Sequence, residues 1–205
     1  MVGLDPNFFV TEAKVNCLKQ KLQGRTLYIS APLCRIITAD QFAAVVGHEL
    51  GHFKGNDTKF SKHFFPVYTG LAHSLYGLGR TGEGVMSLVL IPLQLMLATF
   101  LESFAVAENK LSRDRELIAD REAVAVTNQR AFASALVKIV AFSPGWEGLH
   151  ESCVATLKSG RSLVNTSLGF QEAARDNVSE AILEGLDEQV IPHPTDSHPP
   201  LKQRL

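Results

Sequence analysis

His48-Glu49-Leu50-Gly51-His52 is the stretch on which the reading of this 205-residue chain turns. Upstream of it, Thr38 and Gln41 stand at capping-box spacing, and Ile37 and Phe42 occupy the two positions of a hydrophobic staple. These signals predict a helix from about Ala39 to about Phe53, with all five residues inside it. Residues four apart share one face of a helix, so both imidazoles reach one metal ion. Zinc takes nitrogen ligands at about 2.0–2.1 Å, and a catalytic site binds it through three protein groups with one position left for water. Glu49 lies about 100° round the helix from His48, which puts its carboxylate beside the metal as a base for that water. Chance alone would produce the pattern roughly 0.015 times in a chain with this content of His and Glu.

A third ligand is needed, and Glu116-Leu117-Ile118-Ala119-Asp120 supplies a candidate. Glu116 and Asp120 are again four apart, so one face offers Glu116 to the metal while Asp120, one turn on, accepts the outer N–H of a ligating histidine. The alternative is the exposed face of a charged helix, since Glu108, Asp114 and Glu122 stand nearby.

Between these two stretches lie two apolar runs, residues 64–78 and 85–101, joined by Gly79-Arg80-Thr81-Gly82-Glu83-Gly84, a segment suited to a turn. Val85–Leu101 is 17 residues without a charge, the lower limit for spanning a bilayer, with Pro92 and Gln94 inside it. The pair is read as an apolar helical hairpin that either enters a membrane or is buried in protein. Lys54, Lys59 and Lys62 precede it and Lys110, Arg113 and Arg115 follow, which puts its base, and the metal site, on the cytoplasmic side if it is inserted.

The rest of the chain sets limits. A formal charge of −1, from 20 Lys+Arg and 21 Asp+Glu, leaves no cationic excess for nucleic acid. Apolar residues at 45% exclude a disordered chain. Cys17, Cys34 and Cys153 are too few and too irregular for a disulfide scaffold. Thr26-Leu27-Tyr28-Ile29 reads as a short strand. Further helices are expected from the charged run at Glu108 to about Val126, from Gln129 to Phe142 with Phe132, Leu136, Ile139 and Val140 on one side, and at about 150–158 and 170–186. Residues 191–200 are too rich in proline for either helix or central strand.

The HELGH motif, followed by Ser112-Arg113-x-x-Glu116-x-x-x-Asp120 and by His198-Pro199 with Arg204 six residues after the histidine, resembles the gluzincin zinc peptidases of the HtpX and CAAX prenyl endopeptidase group. The likeness runs from about Arg25 to Arg204. It implies one zinc per chain on His48, His52 and Glu116, Glu49 as general base and Asp120 behind a ligand, with His198 and Arg204 near the reaction centre. His198 would then donate a hydrogen bond to the oxyanion opposite the metal, and Arg204 would contact substrate or hold its loop against the ligand helices. Leu27, Tyr28 and Ile29, as an edge strand, would pair with an extended substrate.

The expected fold is α+β and mainly α: one gluzincin catalytic domain over residues 1–205, with a small sheet beside the HExxH helix and the apolar hairpin inserted at about 64–101. The chain reads as part of a longer membrane protein. The expected function is a zinc-dependent metalloendopeptidase at the cell inner membrane, facing the cytoplasm. It would act on peptide or protein substrates, among them misfolded membrane proteins, with membrane lipid as a further contact and no nucleic acid. The competing readings are a zinc-stabilised membrane chaperone or binding module without activity, and a soluble aminopeptidase.

Overall fold

A computed structural model of the chain describes residues 1–55, 57–80, 85–143, 145–162, 165–177 and 199–205. Five short strands come first: β1 (Val2–Gly3), β2 (Phe9–Thr11), β3 (Val15–Cys17), β4 (Gln20–Leu22) and β5 (Thr26–Ser30). β5 is the middle of a three-stranded sheet, with β1 parallel on one side and β2 antiparallel on the other. β3 and β4 form a separate two-stranded hairpin.

That order corrects the reading of Leu27, Tyr28 and Ile29 as an open edge. Tyr28 and Leu27 pair with Phe9 and Val10 on one side. On the other, the Ile29 N–H donates to the Met1 carbonyl at 2.9 Å, and the Met1 amino group donates to the Leu27 carbonyl at 2.8 Å. With both ladders filled, β5 has no backbone groups left for a peptide. Its neighbours escaped notice because segments of two and three residues are too short to show a period.

A 3₁₀ turn (Leu33–Arg35) leads into α1 (Ala39–Lys54). The Thr38 hydroxyl accepts the Gln41 N–H at 3.3 Å, and the Gln41 side-chain oxygen accepts the Thr38 N–H at 2.9 Å, which closes the capping box. Gln41 also donates to Ser134 at 2.7 Å, and Lys138 donates to the Gln41 oxygen at 3.0 Å. These bonds tie the start of α1 to α4 (Gln129–Phe142). α5 (Gly145–Lys158), α6 (Thr166–Asn177) and a single closing turn, α7 (Leu201–Arg204), complete the described helices.

α2 (Asp57–Arg80) and α3 (Val85–Val126) hold the apolar runs. The expected break between the second run and the charged ligand helix is absent: α3 is one helix of 42 residues. The change of composition near Glu108 alters what the helix faces, but it contains no glycine or proline to end it. Pro66 and Pro92 lie inside α2 and α3.

The core sits at the other end of the molecule. Phe8, Leu33, Val45, Ala135, Leu149, Phe170 and Ala174 form one buried cluster between the sheet side of α1 and helices α4 to α6. Ala44, Ala123 and Phe132 form a second where α1, α3 and α4 meet. By contrast, Val89, Leu95, Met96 and Phe100 of α3 are exposed. Among the described residues α3 is the one helix long and apolar enough to cross a membrane, and 6% of that apolar window is buried.

Candidate metal centre

The two histidines meet Glu116 because α1 and α3 touch almost backbone to backbone. A Cβ on Gly51 would lie 3.1 Å from Ala119 Cα, and one on Gly47 would lie 3.2 Å from Val126 Cγ2. Side chains at these positions would hold the helices apart; glycine facing alanine lets them close. Glu116 then projects from α3 over the His48–His52 face of α1.

His48 Nε2 and His52 Nε2 are 3.2 Å apart. Glu116 Oε2 lies 3.6 Å from His48 Nε2, and Glu116 Oε1 lies 3.5 Å from His52 Nε2. Ligands 2.0–2.1 Å from a tetrahedral zinc ion would be about 3.3 Å apart. The triangle therefore has the size that a zinc ion requires. His48 and Glu116 are buried and His52 is half-buried.

Charge around the triangle points the same way. Glu49, Glu116 and Asp120 are all buried, and Arg204 is the cation facing all three. With neutral imidazoles, as metal ligands must be, the buried carboxylates of Glu116 and Asp120, joined by Glu49 once it ionises, outweigh that guanidinium, a setting that favours a cation at the triangle. Burial, then the Glu116 charge, pushes the Glu49 carboxyl up to about 8, partly offset by Arg204. A cation at the triangle would bring it back down.

Asp120 and Arg204 stand behind the ligands. The Arg204 guanidinium donates to both oxygens of Asp120, at 2.9 and 2.8 Å, and reaches Glu116 Oε2 at 3.1 Å. Asp120 Oδ1 is 2.9 Å from His48 Nδ1, yet off the direction of the ring N–H, so that buried nitrogen has a close carboxylate contact without a straight hydrogen bond. Burial would raise the Asp120 pKa, but His48 and Arg204 outweigh it and hold the carboxyl below its ordinary value. The same pairing raises the Arg204 pKa against the effect of its own burial. Phe132 lies nearly parallel to the His48 ring, with centroids 6.0 Å apart.

The triangle opens into a cavity of about 910 Å³. One wall is β2 with its flanks, residues 7–13; another is the apolar side of α4, through Phe132, Leu136, Ile139 and Val140. β2 is the outer strand of its sheet, so the edge facing the cavity is β2 and not β5. Sequence reasoning missed it: Phe9-Val10-Thr11 is a β-prone triplet, a signal too short to stand out. Leu27, Tyr28 and Ile29 do not line the cavity. His198 lies outside the described residues.

This is a helix-borne centre of two histidines and one carboxylate, with a second carboxylate beside it and a cleft in front. Residues 10–205 match Peptidase family M48, and the chain belongs to that family. It is 27% identical over 194 residues to the protease HtpX homologue of Archaeoglobus fulgidus, which covers 90% of this chain and 55% of that protein. The corresponding homologue of Thermoplasma volcanium is 31% identical over 147 residues, 67% of this chain and 43% of that protein. That of Methanopyrus kandleri is 31% identical over 143 residues, 68% and 42%. The chain thus spans about half the length of the curated relatives it matches. No solved structure matches it.

Proposed function

We propose that this chain is the catalytic portion of a zinc-dependent metalloendopeptidase, with the ion held by His48, His52 and Glu116. The observation that carries the reading is the 3.2–3.6 Å donor triangle at the mouth of a cavity that also holds Glu49. When bound, zinc supplies a Lewis acid that polarises the scissile carbonyl and lowers the pKa of water. Glu49 takes the proton from the attacking water and returns it to the leaving amine. Burial raises the Glu49 pKa and a bound cation lowers it, and the balance of the two sets the carboxylate to take a proton and return it. Asp120 fixes the orientation of His48, and Arg204 holds Asp120 and Glu116 in place while neutralising part of their charge. His198 is proposed as the hydrogen-bond donor to the developing oxyanion.

The substrate is an extended peptide segment that adds to the free edge of β2 and lays side chains against α4. The exposed apolar surface of α2 and α3 supports a location in a membrane, with the metal centre at the base of the hairpin on the cytoplasmic side and damaged membrane proteins as substrates.

Replacing Glu49 with Gln tests the assignment. The variant should retain one zinc per chain and lose peptide turnover by about 10²–10⁴-fold. Undiminished turnover would sink Glu49 as the base. Turnover of casein that a chelator stops and zinc restores separates an enzyme from an inactive zinc-stabilised module. Cleavage of an N-terminally blocked peptide excludes an aminopeptidase.

A further inference from the structure

The β3–β4 hairpin has no role in the metal centre, and its tip breaks two ordinary rules. Leu18 and Lys19 form the two-residue turn between the paired residues Cys17 and Gln20, with φ of +44° and +70°. Turns with two positive φ values favour Asn and Gly, because a Cβ is strained there. Leu18 is also 93% exposed, more than any other large apolar residue described. Leucine here is thus favoured neither by the backbone nor by burial. Such an outlier points to a contact made outside the folded chain.

The charge of the hairpin says what that contact is. Residues 14–22 hold Lys14, Lys19 and Lys21, all exposed, and no acidic residue. Three cations round a projecting leucine complement an anionic surface with an apolar layer beneath it. The hairpin is also rooted in the right place. Glu12 and Arg25, on either side of it, are joined at 3.3 Å, and Arg25 lies over the Phe53 ring at 5.3 Å. Phe53 is next to last in α1, just before the apolar hairpin begins at Asp57. An extended chain from that root carries Leu18 out by roughly 20 Å. A two-stranded hairpin with no third strand is marginal in water and gains from an outside surface.

We propose that the β3–β4 hairpin docks on anionic lipid headgroups, with Lys14, Lys19 and Lys21 against phosphates and Leu18 in the interfacial layer. The proposal rests on the membrane location of α2 and α3 proposed above. It adds a second, electrostatic contact at the base of the apolar arm, beside the mouth of the cavity, whose lining reaches Glu12 and Ala13.

The test uses the full chain with Leu18→Trp, a substitution at an exposed tip, mixed with phosphatidylcholine vesicles with or without phosphatidylglycerol. Flotation reads insertion of the arm. Quenching by brominated phosphatidylcholine, present in both kinds of vesicle and corrected for Trp146 with the unaltered chain, reads the hairpin. The chain should float with both kinds of vesicle, and the introduced indole should be quenched in the anionic ones alone, less so at high salt. Each of Lys14→Gln, Lys19→Gln and Lys21→Gln should weaken docking about fivefold. Flotation with the tip indole unquenched, or quenching indifferent to the lysines, overturns the proposal and leaves the membrane location standing. A chain that floats with neither overturns both. Protection of the tip indole by an acidic peptide and not by vesicles overturns lipid docking and reassigns the hairpin to protein substrates.

Discussion

Gly47 and Gly51 in α1, and Gly70 and Gly77 in α2, are the same residue in opposite surroundings. A Cβ at either of the first two would meet α3 at 3.1–3.2 Å; at either of the second two it would find nothing within 4 Å. The contrast runs through both regions. Near α1 the chain buries carboxylates, His48 and alanines against one another; along α2 and the first half of α3 it exposes valine, leucine, methionine and phenylalanine. The first region is built by exclusion of water and close packing. The second satisfies its backbone within the helices and turns apolar side chains outward, the solution suited to a hydrocarbon solvent.

The sharpest way to break this contrast is to put the same charge in both regions. Ala123→Lys should abolish folding of the core, since an alanine of 0% exposure leaves no room for an ammonium group. Met96→Lys, at a residue 61% exposed, should leave thermal stability and zinc content in detergent unchanged and weaken membrane insertion by about 3 kcal/mol. Equal loss of folding in the two variants would show that α3 is packed along its whole length.

A smaller effect is expected at the glycines. Gly51→Val should cost about 1–3 kcal/mol of overpacking and, by moving Glu116 outward, weaken zinc binding by tenfold or more. Gly77→Ala should cost nothing and stabilise α2 by about 1 kcal/mol or less. Zinc titration and thermal melts of the pair decide it, and equal zinc affinities would remove the α1–α3 seam as the device that places Glu116.

The smallest effect on stability concerns Asp120. Asp120→Asn should lower metal affinity by about 10–100-fold. Because the folded pKa of Asp120 lies below its ordinary 3.8, its contact with His48 and its ion pair with Arg204 contribute fully above that value and are lost as pH falls through the folded pKa. Melts of the metal-free protein from about pH 6 to about pH 3 should therefore fall more steeply for the unaltered chain than for Asp120→Asn. Parallel curves would leave that ion pair without a share in stability.

Legibility from sequence followed the range of the interactions. α1 was readable because its cap, staple and the spacing of His48, Glu49 and His52 are all local, and a helix converts spacing directly into position. The mainly helical character, with a little sheet, was readable for the same reason. The neighbours of β5 were not, since which short strands flank it depends on pairing and not on its own residues. The unbroken course of α3 was missed because a change from apolar to charged residues looks like a boundary, although helix propensity does not change across it. Nor does anything local bring Glu116 to the histidines. Their meeting depends on glycine and alanine at facing positions of helices far apart in sequence.

The single span of α3 makes it a lever. From Pro92, the internal point at which it bends most readily, to Glu116 is roughly 36 Å of helix, so a swing of about 3° there would displace the carboxylate by roughly 2 Å. Metal ligands tolerate about 0.2 Å. Since the glycine seam fixes the Glu116 end of the rod, a bend at Pro92 swings the apolar arm and leaves Glu116 where the seam holds it.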